Sequence, residues 1–222
     1  MSTPSKETNR QLDGLFAHAR VSLTNGRDVT EVQAILKPLG YDPKKLGEGL
    51  SLLDAAVREA KEQVVEYEEQ YAATATLDQQ VRAWKAAYIP HLELARLKFR
   101  GVPAAGVLAL KGTRRKDVAG VTMQGRLLYE GLRDDADLGA AMAEWNVGPG
   151  VIAAALAAID GIDRAAVAQA KEAGEAEVAT AERDTAVRAL LDFLIVYEGL
   201  ARIVLADVPQ LMETLGLRES GS

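Results

Sequence analysis

The segment LGEGLSLLDAAVREAKEQVVEYEEQY, residues 46–71, carries the pattern that decides the fold class. Its apolar residues recur at alternating steps of four and three, which is heptad spacing. They are Leu46, Leu50, Leu53, Val57, Ala60, Val64, Tyr67 and Tyr71. Asp42 and Pro43 precede the segment, and an aspartate cap followed by proline is typical of a helix start. The segment therefore predicts a long helix that packs against another helix along this face.

The sequence leaves two alternatives open for how far this helix continues. Between residues 62 and 89 no residue compels a stop, although Thr76–Gln79 has the spacing of a capping box. One alternative is a helical hairpin that turns near residues 74–77 in the first half of the chain and near 180–183 in the second. The other is one continuous helix in each half, and at 1.5 Å per residue the first would extend roughly 70 Å.

The second half of the chain repeats the first at a constant offset of 106 residues. Matched positions include Pro43 and Pro149, Asp54 and Asp160, Arg82 and Arg188, and the Val-Pro pairs at 102–103 and 208–209. A fixed period indicates one supersecondary unit that is built twice. We therefore predict two helical repeats, 1–111 and 112–222, that pack into one structural unit.

Strand signals are almost absent from the 222 residues, of which 48% are hydrophobic. The sequence predicts an all-α, internally duplicated, elongated helical bundle. Its two long helices pack antiparallel in a coiled-coil-like manner, and shorter helices flank them. The most apolar run, 189–206, contains Asp192, Glu198 and Arg202. Charges there would be costly in a bilayer, so we predict a buried helix and no membrane span.

Charged residues that both repeats retain are predicted to form ion pairs that set the register between helices. Asp54 and Arg58 are four residues apart, as are Asp78 and Arg82, and an acid that precedes a base at this spacing is the favourable order.

The residues that carry most enzymatic chemistry are scarce. The chain has no cysteine, and its only histidines are His18 and His91. Glutamine and tyrosine, at Gln124 and Tyr197, stand at the repeat-equivalent positions, so no histidine site is repeated. Neither histidine belongs to a Glu-x-x-His motif of the kind that binds iron in helical bundles. We predict no catalytic residue, no cofactor and no metal site, and the sequence disfavours an enzyme.

The junction between the repeats is strongly basic in an otherwise acidic chain. Residues 94–116 contain seven Lys and Arg and no acid, against a formal net charge of −6 for the whole chain. The seven are Arg96, Lys98, Arg100, Lys111, Arg114, Arg115 and Lys116. The overall acidity and the presence of a single interleaved aromatic residue, Phe99, disfavour nucleic acid as the ligand. Two alternatives stay open. The segment is a solvated linker whose cations favour a helix C-terminus, or its cations bind an acidic protein surface, including that of a second copy of the chain.

The sequence thus predicts a cytoplasmic helical scaffold or interaction protein. Its partner is itself, as a homo-oligomer, or another protein, docked through charged helical surfaces. The alternative is a small-ligand-binding bundle with an apolar pocket between the repeats, near Trp84, Tyr88 and Trp145.

Overall fold

The structure, a computed structural model, describes residues 6–111, 113 and 115–217, and this part of the chain contains helices and no strand. The all-α prediction is therefore confirmed. The α-helices are α1 (Lys6–Asp28), α2 (Thr30–Leu36), α3 (Pro43–Lys98), α4 (Ala104–Val107), α5 (Val118–Asp134), α6 (Ala136–Ala143), α7 (Pro149–Val204) and α8 (Pro209–Thr214). A short 3-10 helix, Lys37–Leu39, follows α2.

Helices α3 and α7 are each continuous over 56 residues, so neither half of the chain forms the hairpin. The Thr76 hydroxyl does not cap a new helix but donates to the carbonyl of Ala72 at 2.8 Å, within α3. Pro90 also lies inside α3 and does not end it. The predicted helix start is confirmed, because Oδ1 of Asp42 accepts the backbone N–H of Lys45 at 2.8 Å.

The helices form two compact units. Unit 1 comprises residues 1–68 and 174–222, and unit 2 comprises residues 69–173. Unit 1 contains α1, α2, α8, the first part of α3 and the last part of α7. Unit 2 contains α4, α5, α6 and the remaining parts of α3 and α7. The long helices pack together within the units, where they share the hydrophobic cores.

The core of unit 1 is built around Tyr197 of α7. This side chain is fully buried, and its hydroxyl donates to the carbonyl of Ser22 in α1 at 2.9 Å. Gly26 makes room for the ring, because a Cβ there would lie 2.2 Å from the Tyr197 Oη. Burial is the main cause that raises the pKa of Tyr197 to about 12, so the hydroxyl stays protonated and keeps this hydrogen bond.

The core of unit 2 is built around a stacked aromatic pair. Trp84 and Tyr88 of α3 have ring centroids 4.5 Å apart and are almost completely buried. Helix α5 packs on them with a buried face that recurs at helical spacing. The buried residues of that face are Val121, Thr122, Gln124, Gly125, Leu128, Tyr129 and Leu132.

The heptad face of α3 is buried at its start but not along the whole predicted segment. Leu46 and Leu53 are fully buried, whereas Val64 is 43% and Tyr71 is 53% exposed. In unit 1 the buried position beyond Leu53 and Ala56 is instead a polar residue, Gln63, which is 2% exposed. The predicted apolar face is therefore wrong at Val64 and Tyr71, and Gln63 contacts α7 there through a polar side chain.

Candidate interaction site

Two of the seven junction cations contact other parts of unit 2. The Arg96 Nε donates to the carbonyl of Leu110 at 3.1 Å, and its Nη1 lies 3.1 Å from Glu93. The Lys98 Nζ lies 2.6 Å from a carboxylate oxygen of Glu144 and 5.0 Å from the centre of the Trp145 ring. The hydrogen bond from Lys98 lowers the pKa of Glu144. Arg96 and Lys98 thus link the end of α3 to Leu110 and Glu144, which follow it in the chain.

The remaining described cations of the junction are exposed. They are Arg100, Lys111, Arg115 and Lys116, whereas Arg114 lies outside the described residues. The structure thus separates the predicted partner-binding set into two cations with intramolecular roles and four that face solvent. Whether these residues bind a partner stays a prediction.

Two of the exposed cations line a groove of about 820 Å³ in unit 2, which we call the basic groove. Lys111, Thr113 and Arg115 come from the segment before α5, and α5 supplies Ala119, Gly120, Met123, Gln124 and Leu127. Ala109 completes the lining. The groove thus combines positive charge with an apolar helix surface.

Buried Gln124 fixes the shape of the basic groove. Its Nε2 donates to the carbonyl of Ala109, and its Oε1 accepts the backbone N–H of Arg115, both at 3.4 Å. Ala109 has a φ of 51°, which is the left-handed region that non-glycine residues seldom adopt. Together these contacts tie the segment that carries Lys111 and Arg115 to α5.

The apolar part of the basic groove was not anticipated from the sequence. Ala119, Met123 and Leu127 recur at steps of four on α5, opposite its buried face, and so form one strip. Met123 is 66% and Leu127 is 43% exposed. The sequence did contain a signal, because Met123 and Leu127 do not share the helical spacing of the apolar residues that fill the core.

A second, apolar groove of about 540 Å³ lies between α3 and α7 in unit 2. Its lining is rich in alanine and consists of Gln80, Ala83, Trp84, Ala87, His91, Val151, Ala154, Ala155, Ala158 and Gly161. Trp84 is 4% exposed, and its Nε1 is buried without a hydrogen-bond partner among the described residues. The sequence placed a pocket near Trp84, Tyr88 and Trp145, but Trp145 lies beside Lys98 and not among these lining residues.

Among the retained charges, Arg20 and Arg126 form ion pairs between helices, as predicted, whereas the pairs along one helix are not formed. In unit 1 Arg20 of α1 lies 2.9 Å from Asp54 of α3, and Arg58 pairs with its neighbour Glu59. The Arg82 Nε donates to the backbone carbonyl of Asp78 and not to its carboxylate. The predicted Asp54–Arg58 and Asp78–Arg82 ion pairs are therefore wrong.

The contact at the equivalent position in unit 2 joins one arginine to two aspartates. Arg126 of α5 lies 2.8 Å from both Asp160 and Asp163 of α7. These interhelical contacts orient neighbouring helices, but their exposed side chains limit each one to roughly 1 kcal/mol or less of stability.

The two histidines make hydrogen bonds in separate units. In unit 2 the His91 Nδ1 lies 2.9 Å from the hydroxyl of Tyr129. Burial lowers the pKa of His91 and raises that of Tyr129, so both groups are kept neutral. In unit 1 the His18 Nε2 lies 2.8 Å from Glu198, which also accepts from Arg202 at 3.1 Å. Each hydrogen bond links neighbouring helices and gives a partner to polar atoms that are partly buried.

No protein-family model, no curated protein and no solved structure matches this chain. Across the described ranges, no helix has the length and apolar character needed to span a membrane.

Proposed function

We propose that the chain is a non-enzymatic interaction protein whose basic groove binds an acidic amphipathic helix of another protein. The observation that carries this proposal is the combination of Lys111 and Arg115 with the exposed strip of Met123 and Leu127 in one groove. An amphipathic helix binds such a groove by inserting apolar side chains at helical spacing. Acidic residues beside those anchors would meet the two cations, which favours this partner over a neutral one.

The charge of the remaining chain supports the same partner. The formal net charge is −6, so an acidic helix is repelled by most of the surface and attracted at the junction. Because Arg96 and Lys98 already have intramolecular partners, the attraction depends on the exposed cations of the groove.

A synthetic peptide tests the proposal directly. The probe is a fluorescein-labelled 18-residue helix-forming peptide with leucines on one face and glutamates on the other. Fluorescence anisotropy should show saturable binding to the intact protein. The double substitution Lys111→Glu/Arg115→Glu should weaken this binding by about tenfold or more, because it reverses both groove charges. Met123→Ser should also weaken it, because it removes an apolar contact.

The matched control is Lys44→Glu/Lys61→Glu, which changes the net charge equally at exposed positions of unit 1. This variant should bind the peptide nearly as well as the wild type. Equal losses in the two double variants would mean that net charge alone governs binding, and the proposed site would be rejected.

We also infer that the fold is an internal duplication in which α3 and α7 pack antiparallel. The duplication is supported by the Arg20–Asp54 and Arg126–Asp160 contacts, which are equivalent under the offset of 106. The first residues of α3 and α7, Pro43 and Pro149, are also separated by that offset.

The antiparallel orientation is supported by contacts within unit 1. The Gln63 Nε2 donates to the Thr180 hydroxyl at 3.0 Å, whereas the earlier residue Gly49 lies against Phe193. This order of contacts is what an antiparallel pair of helices would give.

The second candidate function is binding of a small, mainly apolar ligand in the groove beside Trp84. The observation that favours it is the unpaired indole N–H of Trp84, which a ligand acceptor could satisfy in a groove of about 540 Å³. Trp145→Phe leaves Trp84 as the only tryptophan, and 1-aminoanthracene is a suitable uncharged probe. We expect saturable quenching of Trp84 fluorescence, which Ala158→Glu in the groove wall should abolish. Quenching that survives Ala158→Glu would exclude this groove as the binding site.

A further inference from the structure

The last part of α7, in unit 1, exposes apolar residues that its own core does not use. Val196 is 62%, Ile195 is 68% and Ile203 is 78% exposed. They lie on the side of α7 opposite Leu194 and Tyr197, which are buried in the core. A cluster of large exposed aliphatic residues on one helix face is typical of a contact surface.

Gly199 lies on the same surface, and no contact with the described residues accounts for a glycine there. A Cβ at this position would meet no atom within 4 Å, so the glycine makes no room for a neighbouring side chain. Its φ is not in the left-handed region, because Gly199 lies within the continuous helix α7. Glycine inside a helix costs roughly 1 kcal/mol relative to alanine. A close approach by another molecule is a physical reason for that cost.

The charges beside Gly199 identify the molecule that fits. Asp192, Ile195, Gly199 and Arg202 are separated by steps of three, four and three, a series whose spacing is unchanged when it is reversed. An antiparallel second copy centred between Ile195 and Gly199 would place each Ile195 against the partner's Gly199. It would also place each Asp192 beside the partner's Arg202. The surface is thus self-complementary in both size and charge, as a two-fold interface requires.

We propose that the protein forms a two-fold dimer through this face of α7, with Ile195 packed against Gly199 and Asp192 paired with Arg202 across the interface. The second copy is preferred over a different partner because each half of the surface supplies the complement of the other half. Arg202 contacts Glu198 within its own chain and keeps further N–H donors for a second carboxylate. A single pair of helices buries a small interface, so the dimer is expected to be in exchange with the monomer.

The corresponding face of α3 in unit 2 lacks this complementarity. The equivalent residues are Ala86, Ile89, Glu93 and Arg96. The acid has become alanine and the glycine has become glutamate, so the repeated element does not supply a second surface of the same kind. Dimerisation through α7 alone gives a closed pair, whereas two such surfaces would give chains of molecules.

Sedimentation velocity over a wide concentration range tests the dimer. The wild type should shift from monomer to dimer as concentration rises. Ile195→Lys and Gly199→Leu should each raise the dissociation constant about tenfold or more, because they place a charge or excess volume at the centre. Val167→Lys is the control, since Val167 is 72% exposed on α7 in unit 2 and should leave the dimer unchanged. A wild type that stays monomeric, or a dimer that survives Ile195→Lys, would overturn the proposal.

Charge reversal tests the register. Asp192→Arg and Arg202→Asp should each weaken the homodimer, because each brings like charges together. An equimolar mixture of the two variants should form a heterodimer, since all its cross-interface pairs are again opposite in charge. The double variant Asp192→Arg/Arg202→Asp should regain the homodimer. If the mixture associates no better than the single variants, the antiparallel pairing is contradicted. Lys111→Glu/Arg115→Glu should leave the dimer intact, so this proposal and the basic-groove proposal can fail separately.

Discussion

Replacing Gly125 with alanine is expected to lower the free energy of unfolding by about 2–3 kcal/mol. A Cβ at this position would lie 2.4 Å from Cζ2 and 2.7 Å from Cη2 of Trp84. Because the Trp84 ring is stacked on Tyr88 and its edge lies against Gly125, the ring must leave its stacked position to admit the Cβ. Urea denaturation of the purified variant, followed by circular dichroism, measures the loss.

The matched control is Gly174→Ala in the interior of α7. A Cβ there meets no atom within 4 Å, so the higher helix propensity of alanine should raise the free energy of unfolding by roughly 0.5–1 kcal/mol. The same substitution is thus expected to have opposite signs at the two glycines. A destabilisation of similar size at both positions would contradict the packing of Trp84 on Gly125.

A compensating substitution tests the relation between the two units. At the offset of 106, Ala19 corresponds to Gly125 and Leu190 corresponds to Trp84, and both residues belong to the core of unit 1. Trp84→Leu/Gly125→Ala gives unit 2 the same pair of residues. We expect the double variant to lose less free energy of unfolding than the two single variants lose together. Additive losses would argue that the two cores are not built in equivalent ways.

The substitution Gln63→Leu is expected to lower the free energy of unfolding by about 2 kcal/mol. The Gln63 Oε1 accepts a hydrogen bond from the buried Arg183 at 2.6 Å, and its Nε2 donates to Thr180 at 3.0 Å. Arg183 is 9% exposed. A leucine at position 63 would leave its Nη1 buried without the glutamine acceptor, while Nε and Nη2 keep their contacts with Asp184. Thermal unfolding at neutral pH measures the change.

The sequence offers a matched control at the equivalent position of the second half. Gln169 corresponds to Gln63, but Leu77 stands where Arg183 would be, so the cation that Gln63 binds has no counterpart at this position. Gln169→Leu should change stability by about 0.5 kcal/mol or less. Gln63→Leu/Arg183→Leu should recover much of the loss, because both polar partners are removed together. If Gln63→Leu is neutral, the buried polar contact does not stabilise α3 against α7.

How much of the fold could be predicted depended on whether local signals or packing decided each feature. Helical periodicity and the cap at Asp42 identified α3 and its start correctly. The choice between a hairpin and a continuous helix could not be made, because Thr76–Gln79 has the spacing of a cap yet is also compatible with an uninterrupted helix. Tertiary packing along α3 and α7 decides between these possibilities.

The heptad extrapolation failed at a particular residue for a physical reason. A 3.5-residue seam predicts that Val64 and Tyr71 are buried, but a straight helix turns this seam away from its neighbour. Gln63 becomes the buried residue instead, and it can do so because Thr180 and Arg183 provide hydrogen bonds. No spacing rule within α3 could have identified partners that lie more than 100 residues away.

The candidate interaction site was predictable in its charge but not in its shape. The acid-free segment drew attention to the correct region, yet the sequence could not show that Arg96 and Lys98 bind intramolecular partners. It also missed Met123 and Leu127, whose exposure becomes apparent only once the buried face of α5 is known. The two halves also differ by paired changes in side-chain size, since Gly125 and Trp84 stand where the other half has Ala19 and Leu190. Such a pair indicates a contact between the two positions, but it was not recognised from the sequence.

The most direct test of the proposed interaction is a reciprocal charge exchange in the basic groove. The intact protein and its Lys111→Glu/Arg115→Glu variant are each titrated with the glutamate peptide and with a matched peptide that carries lysine at every glutamate position. We expect the wild type to prefer the glutamate peptide by about tenfold or more and the variant to reverse this preference. If both proteins bind the two peptides with the same preference, the basic groove does not select an acidic partner.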